Sequence, residues 1–170
     1  MQTNYRKMIC ILALTAAVFS LSATKSFAQW NDRDDDEKTL EGTWVTEVTP
    51  VDCQSRLAVA PPFLSLATFN KGGTYTETTS SPAFFPAQRS PGHGAWIRTG
   101  RRSYKASSMA LITLNGILVR TQTITQTIEV KGPDQFVTTA ATIEFALPDG
   151  TPIPNSGCAT AVRTRFDLQR

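Results

Sequence analysis

The sequence predicts an all-β protein, namely an eight-stranded antiparallel up-and-down β-barrel with one disulfide. Three observations support this prediction. From Gly42 onward no segment shows the apolar period of a helix, whereas strand-like runs recur almost without interruption. Short turn sequences separate most of these runs. Two cysteines also fall where closure of the sheet would bring them together. A β-sandwich is the alternative architecture.

The predicted strands follow one another along the chain and are joined mostly by hairpin turns. The clearest turn is Asn115-Gly116, because both central residues of a type I′ turn adopt positive φ and these residue types tolerate it. Eight sequential strands leave exposed edges unless the sheet closes, and a closed barrel of this size holds side chains or one small ligand. The predicted strands span residues 42–49, 63–70, 74–80, 93–99, 102–114, 117–130, 135–147 and 157–168.

Residues 1–28 have the pattern of an export signal. Two basic residues precede a largely apolar run over residues 8–21, and small residues stand at 26 and 28, where a signal peptidase reads them. The apolar run is shorter than the roughly 20 residues that a membrane-spanning helix needs. We therefore expect cleavage after Ala28, no membrane span in the mature chain, and a periplasmic or extracellular location.

Removal of this segment changes the charge balance of the chain. The full sequence has 17 basic and 14 acidic residues, and Arg6, Lys7 and Lys25 leave with the signal, so 14 of each remain. A near-neutral chain gives no global electrostatic reason to expect a nucleic-acid partner. Residues 29–39 form an acidic leader without the spacing of a calcium loop, and we expect a flexible linker before a single β-barrel domain at residues 40–170.

Cys53 and Cys158 are the two cysteines outside the signal. In an exported protein an isolated pair most simply forms a disulfide. Cys53 follows the end of the first predicted strand and Cys158 begins the last, so antiparallel pairing of these strands brings them within bonding reach. The sequence contains no CxxC motif and His93 is its only histidine. We therefore expect no metal site and no cofactor.

The Asn115-Gly116 turn also predicts which side chains face the barrel interior. Extending its register along the fifth and sixth strands separates an uncharged face from a charged one, and unpaired charge is costly to bury. The uncharged face is therefore expected to point inward, and the same argument applies to the second and third strands. A core filled by these side chains is the alternative to an open lumen. The candidate ligand contacts in the lumen are Phe63, Phe69, Thr76, Tyr104, Thr123 and Thr125.

The last two strands raise different expectations. On the last strand, alternation predicts that Arg163 and Arg165 point outward, while Cys158, Thr160, Val162, Thr164 and Phe166 point inward. On the seventh strand, simple alternation would turn Glu144 inward and its apolar neighbours Ile143 and Phe145 outward. We therefore expect a β-bulge in that strand.

Few residues suggest catalytic chemistry. Glu77 and Glu144 are acid–base candidates if buried, but the expected register turns only Glu144 inward; His93 lies at a turn without a fixed acidic partner. The sequence lacks the GxSxG, HExxH and phosphate-loop motifs. Phe84 and Phe85 stand between prolines in an apolar loop, and we expect them to cover the barrel mouth or to contact a protein partner.

Gly42-Thr43-Trp44 at the start of the first of eight strands resembles the pattern of lipocalins and the wider calycin group. The resemblance implies a lipocalin-like barrel in which Trp44 plugs one end and an arginine from the last strand lies across it. Arg163 and Arg165 are the candidates for that arginine. A guanidinium over an indole contributes about 0.5–2 kcal/mol.

These observations favour an exported, non-enzymatic β-barrel that binds a small apolar or amphiphilic molecule in its lumen. One alternative is a protein-interaction or inhibitor module that acts through the loops around Phe84 and Phe85. Another is an enzyme comparable to barrel cyclases or isomerases, which act mainly by shaping an apolar pocket. The sequence contains no motif that identifies a reaction.

Overall fold

The computed structural model describes residues 39–167, apart from the side chains of residues 155 and 156. The predicted export signal and residues 29–38 of the acidic leader lie outside the described residues. In the part of the chain that is described, no helix has the length and apolar character needed to span a membrane.

The described chain forms one closed antiparallel sheet, which confirms the predicted β-barrel. β1 pairs with both β2 and β9, and pairing of β6 with β7 closes the barrel. β4 and β5 both pair with β6 and together occupy one strand position. The nine labelled strands therefore form an eight-stranded barrel. A single 3-10 turn at Pro82–Phe84 precedes β4. The strands are β1 (Gly42–Val51), β2 (Phe63–Phe69), β3 (Thr74–Thr79), β4 (Gln88–Arg89), β5 (Gly92–Arg98), β6 (Ser103–Leu114), β7 (Ile117–Gly132), β8 (Gln135–Ala146) and β9 (Pro152–Arg165).

The hairpin between β6 and β7 contains a bulge close to its turn. Asn115 and Gly116 have φ values of 52° and 79°, as the predicted type I′ turn requires. Thr113 then pairs with Leu118, but Ile112 pairs with Arg120, so Val119 has no partner of its own. One extra residue exchanges the two faces of a strand.

Because of the bulge at Val119, the prediction that Thr123 and Thr125 face the lumen is wrong. Beyond it, the buried side chains of β7 include Gln122, Gln126 and Ile128, whereas we expected threonines there. Thr123 and Thr125 lie on the outer face, and the Thr125 hydroxyl is 3.2 Å from the hydroxyl of exposed Ser107.

Alternation was also assigned incorrectly on β3 and β9. On β3, Tyr75 and Glu77 are buried, so the prediction that Thr76 faces inward is wrong. On β9, Arg163 is only 3% exposed and Val162 is 45% exposed, and Phe166, just after β9, is 58% exposed; this is the reverse of our expectation. The prediction failed because it assumed that charge stays outside, whereas this barrel buries an arginine within a hydrogen-bond network.

The expected irregularity in β8 is present. The pairing of β8 with β9 shifts register between Thr138 and Ala141, and again between Ile143 and Phe145. As a result Ile143 and Phe145 face the interior, and Glu144 is exposed. The bulge therefore keeps the carboxylate of Glu144 in solvent and the apolar pair inside.

Trp44 closes one end of the barrel. Its side chain is 0% exposed, its indole N–H donates to the carbonyl of Leu40 at 2.9 Å, and its ring meets Phe136 edge-on with centroids 4.2 Å apart. The Arg165 guanidinium lies 4.3 Å from the Trp44 ring centroid. Gly42 has a φ of +119°, and a Cβ there would stand 2.7 Å from Arg165 Nη1. The Gly42-x-Trp44 pattern is thus explained by the close approach of Arg165.

The disulfide lies toward the other end of the barrel. Cys53 and Cys158 are bonded, with Cα atoms 5.2 Å apart, as predicted. Val51, the last residue of β1, pairs with Cys158 on β9. The bond therefore crosslinks the β1–β9 seam, the line along which these two strands pair, at the end away from Trp44.

Candidate ligand-binding cavity

A cavity of about 290 Å³ occupies the half of the barrel that Trp44 does not fill. The inward side chains of β1 give its depth. Trp44 belongs to the plugged end, and the cavity begins at Thr46 and continues past Val48 to Pro50. At about 3.3 Å per residue, the four steps from Thr46 to Pro50 span roughly 13 Å along the strand. The cavity is therefore deep along the barrel axis.

The outer part of the cavity is lined mainly by apolar side chains. Phe63 from the start of β2 and Phe145 from the end of β8 lie here, and Phe84 of the 3-10 turn contributes to the same rim. The Arg120 guanidinium is the charged group at this level, and it lies 4.8 Å from the Phe145 ring centroid. The outer part of the cavity is therefore bounded by aromatic rings and one cation.

A hydrogen-bond network built on Arg163 forms the inner part of the cavity. Arg163 donates through Nη2 to Gln126 Oε1 at 2.6 Å and through Nη1 to the Thr138 hydroxyl. Gln126 in turn donates to the Tyr75 hydroxyl at 2.9 Å. Burial raises the pKa of Tyr75 to about 12, although nearby Arg163 acts in the opposite direction. Tyr75 is therefore neutral at physiological pH and supplies no charge to balance Arg163.

A second network joins β3, β4 and β7. Arg89 forms a buried salt bridge with Glu77 and donates to Gln122 Oε1. The Ser108 hydroxyl lies 3.5 Å from the same carboxylate oxygen of Glu77. Removing one member of such a buried pair is strongly destabilising, because the other charge is then left without compensation. The salt bridge with Arg89 is therefore needed to compensate the buried charge of Glu77.

Two buried polar atoms beside the cavity have no hydrogen-bond partner in the described structure: Thr46 Oγ1 and Arg163 Nε. Thr46 on β1 and Arg163 on β9 are directly paired residues, and both side chains line the cavity. Directly paired residues place their Cβ atoms about 4.5–5.5 Å apart. Because buried polar groups in proteins are nearly always hydrogen-bonded, this pair needs an explanation.

The six residues that we expected to line the lumen lie in three different places: the cavity, the aromatic core and the outer face. Phe63 lines the cavity, whereas Phe69 and Tyr104 are buried in the aromatic cluster at the plugged end. Thr76, Thr123 and Thr125 lie on the outer face, as described above.

The other candidates are also divided between the inside and the outside. Phe84 lines the cavity rim, with its ring 5.7 Å from the Arg89 guanidinium, but Phe85 is 88% exposed. His93 and Glu144 are exposed and do not line the cavity. Among the described residues, no group of three or more His, Cys, Asp or Glu side chains could hold a metal ion.

The sequence reasoning missed the polar residues that line or adjoin the cavity. They were assigned to the outer face or given no role because they are charged or carry amides. One signal was present: Gln122, Ile124 and Gln126 share a face with Arg120, and an apolar residue amid amides fits a buried network better than a solvated surface. The missed residues are Glu77, Arg89, Arg120, Gln122, Gln126 and, as an inward group, Arg163.

No protein-family model matches this sequence, and no curated protein matches it. The closed barrel and its cavity therefore carry the functional argument.

Proposed function

We propose that this protein is an exported, non-enzymatic β-barrel that binds a small apolar or amphiphilic molecule in its cavity. The observation that carries the proposal is the cavity of about 290 Å³ with an apolar rim. This volume is close to the lower bound of about 300 Å³ for small-molecule pockets, so the ligand is small. The apolar rim offers hydrophobic contact, and the buried amides and hydroxyls offer orientation.

Two further observations support export. The sequence of residues 1–28 has the charge, apolar run and small residues of a signal peptide. The disulfide between Cys53 and Cys158 is typical of proteins that reach an oxidising compartment. Periplasmic or extracellular localisation is therefore part of the proposal.

The barrel end also supports a lipocalin-like or calycin-like assignment. Trp44 plugs the barrel, Arg165 lies over its ring, and Gly42 leaves room for that arginine. This is the arrangement implied by the resemblance at Gly42-x-Trp44, with Arg165 in the role for which Arg163 was the other candidate.

A matched pair of variants tests whether the cavity binds ligands. Ala161 is buried and lines the cavity, whereas its neighbour Val162 is 45% exposed on the outer face. We expect the neutral fluorescent probe N-phenyl-1-naphthylamine to bind the native protein. Ala161→Phe should weaken that binding about tenfold or more by filling the cavity, and Val162→Phe should leave it unchanged. Equal binding by all three proteins would exclude the cavity as the site.

The exposure of Phe85 favours a second candidate function. An 88% exposed phenylalanine beside the cavity rim is suited to contact with a protein partner, as an interaction or inhibitor module would require. Phe85→Ala should then abolish capture of a partner, while Leu57→Ala, at another exposed apolar residue, should not. Capture unaffected by Phe85→Ala would exclude this surface.

The enzymatic alternative now depends on Glu77 rather than on Glu144 or His93. Glu77 lines the cavity, but its carboxylate is paired with Arg89. Turnover of a cavity ligand that is lost in Glu77→Gln protein shown to be folded by circular dichroism, and kept in Glu144→Gln, would favour an enzyme over a binding protein.

A further inference from the structure

One guanidinium holds two polar groups side by side at the cavity wall. Arg89 donates through Nη2 to Glu77 Oε1 and through Nε to Gln122 Oε1. These two donors lie on the same edge of the planar guanidinium, so they bring the Glu77 carboxylate next to the Gln122 amide. Glu77 and Gln122 line the cavity, whereas Arg89 contacts them from outside the lining. The wall of the cavity therefore contains a carboxylate beside an amide.

Arg89 leaves the second polar atom of each group available. A guanidinium only donates hydrogen bonds, so the amide oxygen of Gln122 must face Arg89 and the nitrogen Nε2 must face away. On Glu77, both Arg89 and the Ser108 hydroxyl contact Oε1. Among the described residues, Gln122 Nε2 therefore donates no hydrogen bond and Glu77 Oε2 accepts none. One donor and one acceptor remain unused.

These two atoms are open to the cavity although their residues are buried. Glu77 and Gln122 are only 6% and 5% exposed. Within the described part of the chain, the fully buried polar atoms without a partner are Thr46 Oγ1 and Arg163 Nε. Gln122 Nε2 and Glu77 Oε2 also lack a partner but are not fully buried, and the space beside them is the cavity. Because buried polar groups are nearly always hydrogen-bonded, a ligand that bonds to both atoms would complete the site.

The position of the Glu77 carboxylate is fixed by its surroundings. Gly92 pairs with Glu77 across β3 and β5, and a Cβ at Gly92 would overlap the carboxylate. The salt bridge with Arg89 holds the same group from another strand. A site held in place before the ligand arrives loses less conformational entropy on binding.

The surrounding charge indicates which kind of ligand group fits this pair. An anionic group would meet Oε2 of the Glu77 carboxylate. An ammonium group would enter a cavity that Arg120 and Arg163 make positive, and it would compete with Arg89 for Glu77. A neutral group leaves the buried salt bridge intact. A carboxamide matches both open atoms, because its N–H donates and its carbonyl accepts.

We propose that the ligand carries a neutral carboxamide group that donates to Glu77 Oε2 and accepts from Gln122 Nε2, with its apolar part against Phe63 and Phe145. This inference rests on the proposed function and specifies its ligand class. The hydrogen bond to the carboxylate is the stronger kind, because its acceptor is charged. A site built to bond an N–H group rejects an analogue without one, since its own polar atom then stays unpaired.

Four competitors with one alkyl chain and different polar groups test the proposal on the native protein. They are octanamide, methyl octanoate, octanoate and octylammonium, each used to displace the neutral N-phenyl-1-naphthylamine. We expect octanamide to displace the probe at a concentration about tenfold or more below that of the other three. Methyl octanoate is the decisive comparison, because it is more apolar than octanamide and keeps the carbonyl but has no N–H to donate to Glu77.

Gln122→Glu tests the other contact. The substitution keeps an oxygen that accepts from Arg89, but replaces the donor Nε2 by a second carboxylate oxygen. The ratio of octanamide to octylammonium affinity should therefore fall about tenfold or more. Thr127→Glu is the matched control, since it adds the same charge on β7 at an exposed position that pairs with Lys105. The control should keep the preference for octanamide, and an unchanged preference in Gln122→Glu would overturn the proposal.

Nuclear magnetic resonance reports the contact directly. The side-chain amide signal of Gln122 is identified by its absence in Gln122→Glu. In the native protein this signal should move when octanamide is added, and the amide protons of nitrogen-15-labelled octanamide should move downfield because they donate to a carboxylate. Displacement of the probe by octanamide without movement of the Gln122 signal would place the amide elsewhere and contradict the proposal.

The outcomes separate the two levels of inference. If the neutral probe binds but methyl octanoate, octanoate or octylammonium competes as well as octanamide, the carboxamide site is wrong and the ligand-binding function stands. If neither the probe nor any competitor binds, the proposed function itself fails, and the carboxamide site fails with it. Both results come from the native protein, so they hold even if Gln122→Glu does not fold.

Discussion

The two ends of this barrel are built from the same strands, but the interior of one end is apolar and filled, whereas the interior of the other contains a cavity and polar side chains. At the plugged end, Leu40, Trp44 and Phe136 are fully buried and pack with further aromatic rings. Toward the mouth, the interior contains a cavity, two hydrogen-bond networks and charged side chains. The change occurs between Trp44 and Thr46, two positions along β1. The fold thus separates its apolar core from its cavity and buried polar networks along the length of the barrel.

Two arginines on β9 show the same contrast. Arg165 lies across Trp44, donates to the carbonyl of Glu41 at 3.0 Å and approaches Asp134 at 3.5 Å. Arg163 is buried in the cavity and donates to neutral partners only. The first stabilises the plug while its charge is shared with a carboxylate and solvent. The second has no salt-bridge partner among the described residues, and burial lowers the pKa of its guanidinium while Tyr75 and Glu77 act against that effect.

The largest expected effect on stability comes from the disulfide near the mouth. Its cysteines are 105 residues apart in sequence, and a chain-entropy model assigns about 4.7 kcal/mol to a loop of this order. Cys53→Ala combined with Cys158→Ala should therefore lower the free energy of unfolding by about 4–5 kcal/mol in a denaturant titration. A loss below about 1 kcal/mol would show that strand pairing alone fastens this seam.

Trp44→Ala should act at the opposite end with an effect nearly as large. Removal of a fully buried tryptophan typically costs about 3–5 kcal/mol, because packing is lost and a cavity remains. Denaturant titration measures this loss, and probe fluorescence under native conditions should show nearly unchanged binding. A variant of normal stability that no longer binds the probe would contradict the separation between the two ends.

Tyr75 connects the two ends and should make stability depend on pH. Its ring stacks on Phe69 at 4.6 Å in the aromatic core, while its hydroxyl accepts from Gln126 beside the cavity. The folded-state pKa of about 12 exceeds the ordinary value of 10.0, so the protonated group contributes stability that is fully present below pH 10. That contribution, about 3 kcal/mol, should be lost as pH rises from 10 to about 12.

Tyr75→Phe is the control for this titration. Denaturant unfolding at a series of alkaline pH values should show a weaker fall in stability for the variant than for the native protein across the same range. The ultraviolet titration of tyrosinate should also lose its most alkaline component. An unchanged pH profile in Tyr75→Phe would place the alkaline sensitivity elsewhere.

The smallest expected effects are those of Thr123→Ala and Thr125→Ala. Both residues lie on the outer face because of the bulge at Val119, and such substitutions usually change stability by less than about 0.5 kcal/mol. Probe affinity should also be unchanged. Ile124→Ala, between them on the inner face, should alter probe affinity because Ile124 lines the cavity. The opposite result would show that β7 has the register expected from simple alternation.

Much of the barrel could be predicted from local sequence. Strand periodicity, the Asn115-Gly116 turn and the position of Cys53 relative to Cys158 each depend on short stretches or on the order of strands. These features gave the closure, the disulfide and most strand positions correctly, but the short strand β4 was not predicted, and the last strand spans Pro152–Arg165 rather than residues 157–168. The expected bulge in β8 was also present, because an apolar pair around Glu144 conflicts with plain alternation.

The composition of the cavity could not be predicted in the same way. The bulge at Val119 has no strong local signal, yet it exchanges the faces of β7 for the length of the cavity. Burial of Arg163 and of the Glu77–Arg89 pair depends on partners from different strands, which only the closed barrel brings together. The assumption that charged side chains stay outside therefore fails where they are paired or hydrogen-bonded inside the barrel.

The uneven pairing around the barrel has a consequence for ligand exchange. The β1–β9 seam has eight paired residues and the disulfide, whereas β3 pairs with β5 through four residues that end at Glu77. Local opening is easiest where few backbone hydrogen bonds must break. We therefore expect the mouth to open between β3 and the Pro82–Phe84 turn, so that residues 78–87 exchange amide hydrogens faster than β1 and slow down when the cavity is occupied.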